Sequence, residues 1–178
     1  MSGGARAVFP VLSVALMCAT FAHDGHATAA KFEITALTPD SELTSALTII
    51  DQQAGFVGIE GVRWSIDPDG AFRAVRFVNE RTEPAHQQGR LTRDELKSLG
   101  ARLESDLPHL PTQSGEAAPV NAHTIVIQFG CRIWTLQLPT GRTIFEAQQE
   151  HARSPDSPEA LFLRVVSTTL GFVDHERQ

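Results

Sequence analysis

Alternation of apolar and polar residues restricts the fold of this chain more than any other feature of its sequence. In residues 61–70, GVRWSIDPDG, the apolar side chains of Val62, Trp64 and Ile66 alternate with polar ones. The same alternation recurs in residues 123–139, through HTIVIQFG and CRIWTLQLP. A period of two gives a strand one buried and one solvated face. These stretches therefore predict half-buried strands of an antiparallel sheet.

Turn signals divide the strand-like stretches into hairpins. Residues 67–70, Asp-Pro-Asp-Gly, have proline at the second position of a turn and glycine at the fourth. Residues 46–55 and 71–80 are strand-like on either side, which predicts a hairpin or a three-stranded meander. Residues 79–90 and 108–122 are polar and contain proline and glycine, so we interpret both as loops.

Two helices complete the predicted fold. In LTRDELKSLGARLESDL, Thr92 and Glu95 have the spacing of a capping box. The apolar residues at helical spacing here form one stripe: Leu96, Leu99, Leu103 and Leu107. A second helix begins with Ser157 as cap and Pro158 at its first position, and Gly171 is placed to end it. We predict an α+β fold, with a small antiparallel β-sheet of two hairpins or meanders packed against two α-helices.

The N-terminus has the features of a secretory signal peptide. One cation, Arg6, precedes an apolar run at 7–22, and small residues allow cleavage after Ala22 or after residues 29–30. We therefore expect a secreted or periplasmic protein with no stable membrane span once the signal is removed. The expected organisation is signal peptide 1–30, flexible lead-in 31–45, single α+β domain 46–172 and C-terminal tail 173–178.

Charge and cysteine content limit the partners of this domain. The chain has a net charge of −6 and its positive residues are scattered, so a nucleic-acid partner is not indicated. Of two cysteines, Cys18 is lost with the signal peptide, and Cys131 then cannot form an internal disulfide. We interpret Cys131 as a buried core residue rather than a reactive or dimer-forming thiol, and we expect a monomer.

Three glycines spaced by three, Gly55, Gly58 and Gly61, raise the question of a ligand loop. A phosphate loop needs Lys followed by Ser or Thr after its last glycine, and a dinucleotide fingerprint needs a following helix; here a strand follows. A calcium loop that began at Asp67 would need glutamate where Val78 stands. The pattern therefore favours a turn or bulge in a small sheet.

Catalytic and metal-binding signatures are lacking in the sequence. The histidines of the mature chain are spread over predicted loops and ends without a His-x-x-x-His pair, so we expect no metal and no cofactor. The sequence contains no Gly-x-Ser-x-Gly elbow and no His-Glu-x-x-His motif. A His/carboxylate site assembled from distant residues stays open.

The order of these elements resembles the emfourin family, the protealysin inhibitors and small proteins similar to them. The resemblance covers roughly residues 46–170. It is carried by the aromatic-glycine turn Ala54-Gly55-Phe56-Val57-Gly58-Ile59, by the tryptophan strand Val62–Asp67, and by the Leu-Thr-x-x-Glu-Leu-x-x-Leu helix Leu91–Leu99. It implies a compact α+β module that binds a thermolysin-like metalloprotease and blocks its active site.

We therefore expect a secreted or periplasmic protein-binding module that inhibits such a protease and is not an enzyme. The residues expected to contact the partner form the glycine-flanked turn: Gly55, Phe56, Val57, Gly58 and Ile59. One alternative is a small secreted hydrolase, which would need a pocket where a histidine and a carboxylate converge with shifted pKa values. Another is an envelope domain without catalytic role, which would expose no aromatic tip.

Overall fold

Strands and helices fill most of the domain. A computed structural model describes residues 33–56, 58–115, 123–139, 141–151 and 154–174. The strands are β1 (Leu47–Gly55), β2 (Gly58–Ile66), β3 (Ala71–Val78), β4 (Arg81–Thr82), β5 (Gln87–Arg90), β6 (Gln113–Ser114), β7 (His123–Phe129) and β8 (Arg132–Leu138). The α-helices are α1 (Arg93–Asp106), α2 (Ile144–His151) and α3 (Pro158–Asp174), and a short 3-10 helix spans Leu107–His109.

All described strands belong to one sheet. Its order is β4-β3-β2-β1-β7-β8-β6, with β5 also paired to β3. The β6–β8 pairing is parallel and the others are antiparallel. The prediction of a small antiparallel sheet of two hairpins or meanders against two helices is therefore wrong: within the described residues the sheet is mixed, has eight strands and is accompanied by three α-helices.

Pairing of β1 with β7 makes the sheet large. The meander β1-β2-β3 and the hairpin β7-β8 both form, but they join edge to edge from Leu47↔Phe129 to Gln53↔His123. The join satisfies backbone N–H and C=O groups that two separate units would leave at exposed edges. One continuous sheet thus replaces two small ones.

Four elements lie in stretches that the sequence indicated to be loops or irregular. Strands β4 and β5 lie within residues 79–90 and β6 within residues 108–122, and all three pair at the sides of the sheet. Helix α2 occupies part of the polar stretch 140–157. Edge strands as short as these are held by backbone hydrogen bonds, so their side chains need no apolar alternation.

The predictions for the two longer helices are largely confirmed. Thr92 caps α1 through a capping box: its side chain accepts from the Glu95 amide, and the Glu95 carboxylate accepts from the Thr92 amide. The amide of Ala160 donates to Ser157 Oγ at 3.1 Å at the start of α3. Helix α3 does not end at Gly171, however, but continues to Asp174.

The hydrophobic core lies between one face of the sheet and the helices. Sheet residues at alternate positions and helix residues at helical spacing belong to one buried cluster, including Leu47, Ile49, Ile66, Phe72, Ile125, Ile127, Leu136, Leu96, Leu99, Leu103, Phe162 and Val166. The side chain of Trp134 is buried in this cluster and that of Trp64 packs against it. The opposite face of the sheet carries the intervening residues, most of them half-buried or exposed.

The segment before β1 also contributes to the core. Ile34, Ala36 and Leu43 are buried there. A carboxylate on α1 fixes the segment, because Glu104 Oε1 accepts hydrogen bonds from the amides of Ala36 (2.8 Å) and Leu37 (3.2 Å).

Cys131 lies in the turn between β7 and β8 and is exposed. Its interpretation as a buried core residue is therefore wrong. The pairing of β7 with β8 ends at Phe129↔Arg132, so Gly130, whose φ is +59°, and Cys131 form the tight turn itself.

Candidate functional site

The predicted contact residues form the tip of the β1–β2 hairpin. The two strands pair up to Gly55↔Gly58, so the connection consists of Phe56 and residue 57. Val57 lies outside the described residues. The structure thus brings Gly55, Phe56, Gly58 and Ile59 together at one end of the sheet.

A side chain from the end of β3 holds this tip. The Ile59 amide donates to Asn79 Oδ1 at 2.9 Å, and the Asn79 amide donates to the Ile59 carbonyl at 2.6 Å. Asn79 has a φ of 54°, in the left-handed region that asparagine tolerates. These two bonds anchor the start of β2 to the turn that follows β3.

Glycine is required at position 58 by this arrangement. Gly58 has a φ of +119°, and a Cβ there would lie 2.6 Å from Asn79 Cγ and overlap Asn79 Oδ1. Gly61 has another role, because its Cβ would lie 2.9 Å from the Cα of Gln52 in the neighbouring strand. Both glycines therefore serve backbone geometry rather than a phosphate.

Apolar side chains are exposed around the tip. Phe56 is fully exposed at 107%, Ile59 is 43% exposed and Val78, at the end of β3, is 39% exposed. Beside them lies a cavity of about 230 Å³, lined by Gln53, Ala54, Gly55, Phe56, Gly58, Glu60 and Val78. The tip therefore combines an aromatic projection with a shallow recess.

A buried histidine lies at the same end of the sheet. His123, the first residue of β7, is 8% exposed. Its Nε2 contacts Asp51 Oδ1 on β1, and its Nδ1 contacts the carbonyl oxygen of Arg142, two residues before α2. These two contacts connect β7 with β1 and with the segment before α2.

Both acceptors of this histidine dictate its protonation state. A carbonyl oxygen and a carboxylate oxygen only accept hydrogen bonds, so both ring nitrogens must donate. The bond to Asp51 and, to a lesser extent, the bond to the Arg142 carbonyl raise the pKa of His123, whereas burial opposes the rise. The imidazolium is the form that fits this site.

Sequence reasoning missed this pair. The signal available was a polar residue on the apolar face of each strand: His123 shares its face with Ile125, and Asp51 shares its face with Ile49. Only the register between β1 and β7 reveals that His123 and Asp51 are in contact. That register is not encoded in either strand alone.

The pair of His123 and Asp51 lacks the free histidine nitrogen that a hydrolase needs. Neither ring nitrogen is free to take a proton from a nucleophile, because each is bonded to a protein acceptor. The cavity at the tip contains Glu60 but no histidine, and a larger one of about 320 Å³, beside β3 and β5, contains Asp67 but no histidine. A histidine and a carboxylate therefore converge in this protein, but neither of these cavities receives both.

Across the described part of the chain, no group of three or more His, Cys, Asp or Glu side chains is arranged to hold a metal ion. None of the described helices combines the length and apolar character needed to cross a membrane.

Among protein-family models and curated proteins, none matches this chain.

Proposed function

We propose that this protein is a protein-binding module whose hairpin tip docks into a partner. The observation that carries the proposal is the fully exposed Phe56 side chain on a hairpin held by Asn79. Aromatic anchors that enter a pocket on the partner dominate many protein interfaces. Because hydrogen bonds to Asn79 already hold Ile59, the start of β2 beside Phe56 loses little conformational entropy on binding, which favours affinity.

The proposed partner is a secreted or periplasmic thermolysin-like metalloprotease, which the module would inhibit. This partner class rests on the resemblance of the tip, the tryptophan strand and the α1 sequence to the emfourin family. The signal-like N-terminus supports the same compartment. A narrow hairpin tip has a shape suited to entering an active-site cleft.

The alternatives receive less support. A small hydrolase would need a free histidine nitrogen, and both nitrogens of His123 are bonded to protein acceptors. An envelope domain without a soluble partner gives no reason for an exposed aromatic tip, and Phe56 is such a tip.

Titration of a purified thermolysin-like metalloprotease with the signal-free chain tests the proposal. We expect stoichiometric loss of protease activity while the inhibitor stays intact. Phe56→Ala should weaken inhibition by roughly 10- to 100-fold, which corresponds to the loss of one buried phenylalanine side chain. Circular dichroism should be unchanged, because the side chain makes no contribution to the core.

Phe145→Ala is the matched control, because Phe145 is also an exposed phenylalanine, at 65%, but lies on α2. It should inhibit like the wild-type chain. Equal inhibition by the Phe56→Ala variant and the wild-type chain would reject the tip as the contact. A folded wild-type chain that leaves the protease fully active at micromolar excess would reject the inhibitor proposal.

A further inference from the structure

The buried histidine joins the sheet to the segment that begins α2. Its partner Asp51 is fixed in the middle of the sheet, because β1 pairs with β2 on one side and β7 on the other. Arg142, by contrast, lies in the connection between β8 and α2. The ring therefore bridges a rigid strand and a short connecting segment.

The first turn of α2 is capped locally, and Ile144 and Ala147 pack it against the core. Thr143 and Glu146 form a reciprocal cap: Glu146 Oε2 accepts from the Thr143 amide at 2.9 Å, and the Glu146 amide donates to Thr143 Oγ1 at 3.2 Å. Such a cap fixes the helix start internally but does not attach it to the sheet. The Arg142 carbonyl, just before the helix, is joined to the sheet through His123.

We propose that His123 is a pH-sensitive latch that holds the segment just before α2 against the end of the sheet while both ring nitrogens are protonated, and releases it on deprotonation. A neutral imidazole has one N–H and one lone pair. The N–H is retained by the bond to the Asp51 carboxylate, because charge-assisted hydrogen bonds are the stronger ones. The remaining lone pair then faces the lone pairs of the Arg142 carbonyl, and this repulsion displaces the carbonyl.

The groups around the His123 ring come from β1, β8, β2 and the region of α2. Asp51 faces it from β1, and β8 contributes the uncharged Leu138 opposite it. The Arg142 guanidinium is paired with Glu150 on α2. Two further carboxylates on these elements are Glu146, engaged in the helix cap, and Glu60 on β2, two strands away on the same face.

The pKa shift gives the direction of the switch. The pKa of His123 is raised above its ordinary value of 6.5, so the latch is closed below that value and opens as pH rises through the raised pKa. The rest of α2 stays packed, because Ala147 is fully buried. Ile144, the first residue of α2, also packs against the core. The released part is therefore the backbone around Arg142 and Thr143, just before the helix.

Hydrogen–deuterium exchange of the signal-free chain, corrected for the intrinsic pH dependence of exchange, tests the latch without any partner. Protection of the peptide containing residues 141–151 should fall about tenfold as pH rises through the transition, the effect of losing one buried hydrogen bond. Peptides from β1 and β7 should keep their protection. Nitrogen-15 NMR should show both ring nitrogens of His123 protonated below the transition.

Three variants distinguish a loss of exchange protection caused by His123 from a general loss of protection as pH rises. Asp51→Asn should move the transition to lower pH, because it removes the negative charge that favours the imidazolium. His123→Gln should abolish the transition, and His86→Gln, at an exposed histidine, should leave it in place. Protection of the peptide containing residues 141–151 that does not change with pH in the wild-type chain, or a transition that survives in His123→Gln, would overturn the proposal.

Discussion

Replacement of Gly58 by alanine is the most direct test of the structure assigned to the hairpin tip. Two separate costs are expected. Gly58 has a φ of +119°, which side-chain-bearing residues rarely adopt, and its new methyl group would overlap the Asn79 side chain. Asn79 can swing away, but it would then lose its bond to the Ile59 amide.

The size of the effect follows from these two costs. Backbone strain of this kind contributes about 1–3 kcal/mol. The lost hydrogen bond contributes about 1 kcal/mol. We therefore expect Gly58→Ala to lower the free energy of unfolding by about 2–4 kcal/mol. Asn79→Ala loses the same hydrogen bond without the strain, so it should cost at least about 1 kcal/mol.

A double-mutant cycle distinguishes this explanation from a general intolerance of alanine. In the Asn79→Ala background, the side chain that the new methyl group would overlap is absent. Its hydrogen bond to the Ile59 amide is already lost as well, so Gly58→Ala cannot remove that bond a second time. The double variant should be less destabilised than the sum of the single ones by about 1 kcal/mol. Urea denaturation followed by tryptophan fluorescence provides the free energies of unfolding of the wild-type chain, the two single variants and the double variant. Additive effects, or a Gly58→Ala variant as stable as the wild-type chain, would refute the reasoning.

Three further predictions concern the core, the N-terminal segment and pH. Phe162→Ala should cost about 3–5 kcal/mol in denaturant unfolding because Phe162 is fully buried, and a cost below that of the exposed Phe145→Ala would contradict the assigned core. Glu104→Ala should increase amide exchange of Ala36 and Leu37, which donate to its carboxylate, and unchanged exchange at both would contradict those bonds. Because the pKa of His123 is raised, its contribution to stability should be complete below pH 6.5 and should fall as pH rises through the raised pKa. Asp51→Asn should reduce this pH dependence. Identical urea midpoints across that pH range in the wild-type chain would contradict the prediction.

Local signals predicted some elements well because those elements are determined locally. Helix α1 has a capping box and an apolar stripe within one short stretch, and the turn at Asp67–Gly70 closes with a bond from the Gly70 amide to the Asp67 carbonyl at 2.9 Å. Hairpin strands next to such turns find their partners nearby in sequence. The meander and the β7–β8 hairpin were therefore predictable.

Long-range pairing was not predictable from the same signals. The apolar face of β1 is compatible with any strand of matching alternation, and its partner β7 begins more than 60 residues after β1 ends. Strand β5, with the sequence QQGR, has no apolar residue and forms through its backbone bonds to β3. The same limitation hid the contact between His123 and Asp51, since neither residue is unusual until β1 and β7 pair.

The residues of the hairpin tip differ in whether folding explains them. Gly58 is explained by its positive φ and by the approach of Asn79, and Gly61, further along β2, by the approach of β1. Phe56 is not explained in this way, because its side chain is fully exposed and contributes nothing to the core. Folding alone would accept a small polar residue at that turn position equally well. A large aromatic side chain that the fold does not need is therefore the best-founded starting point for a search for a partner, and the glycines on either side of it keep the neighbouring surface open.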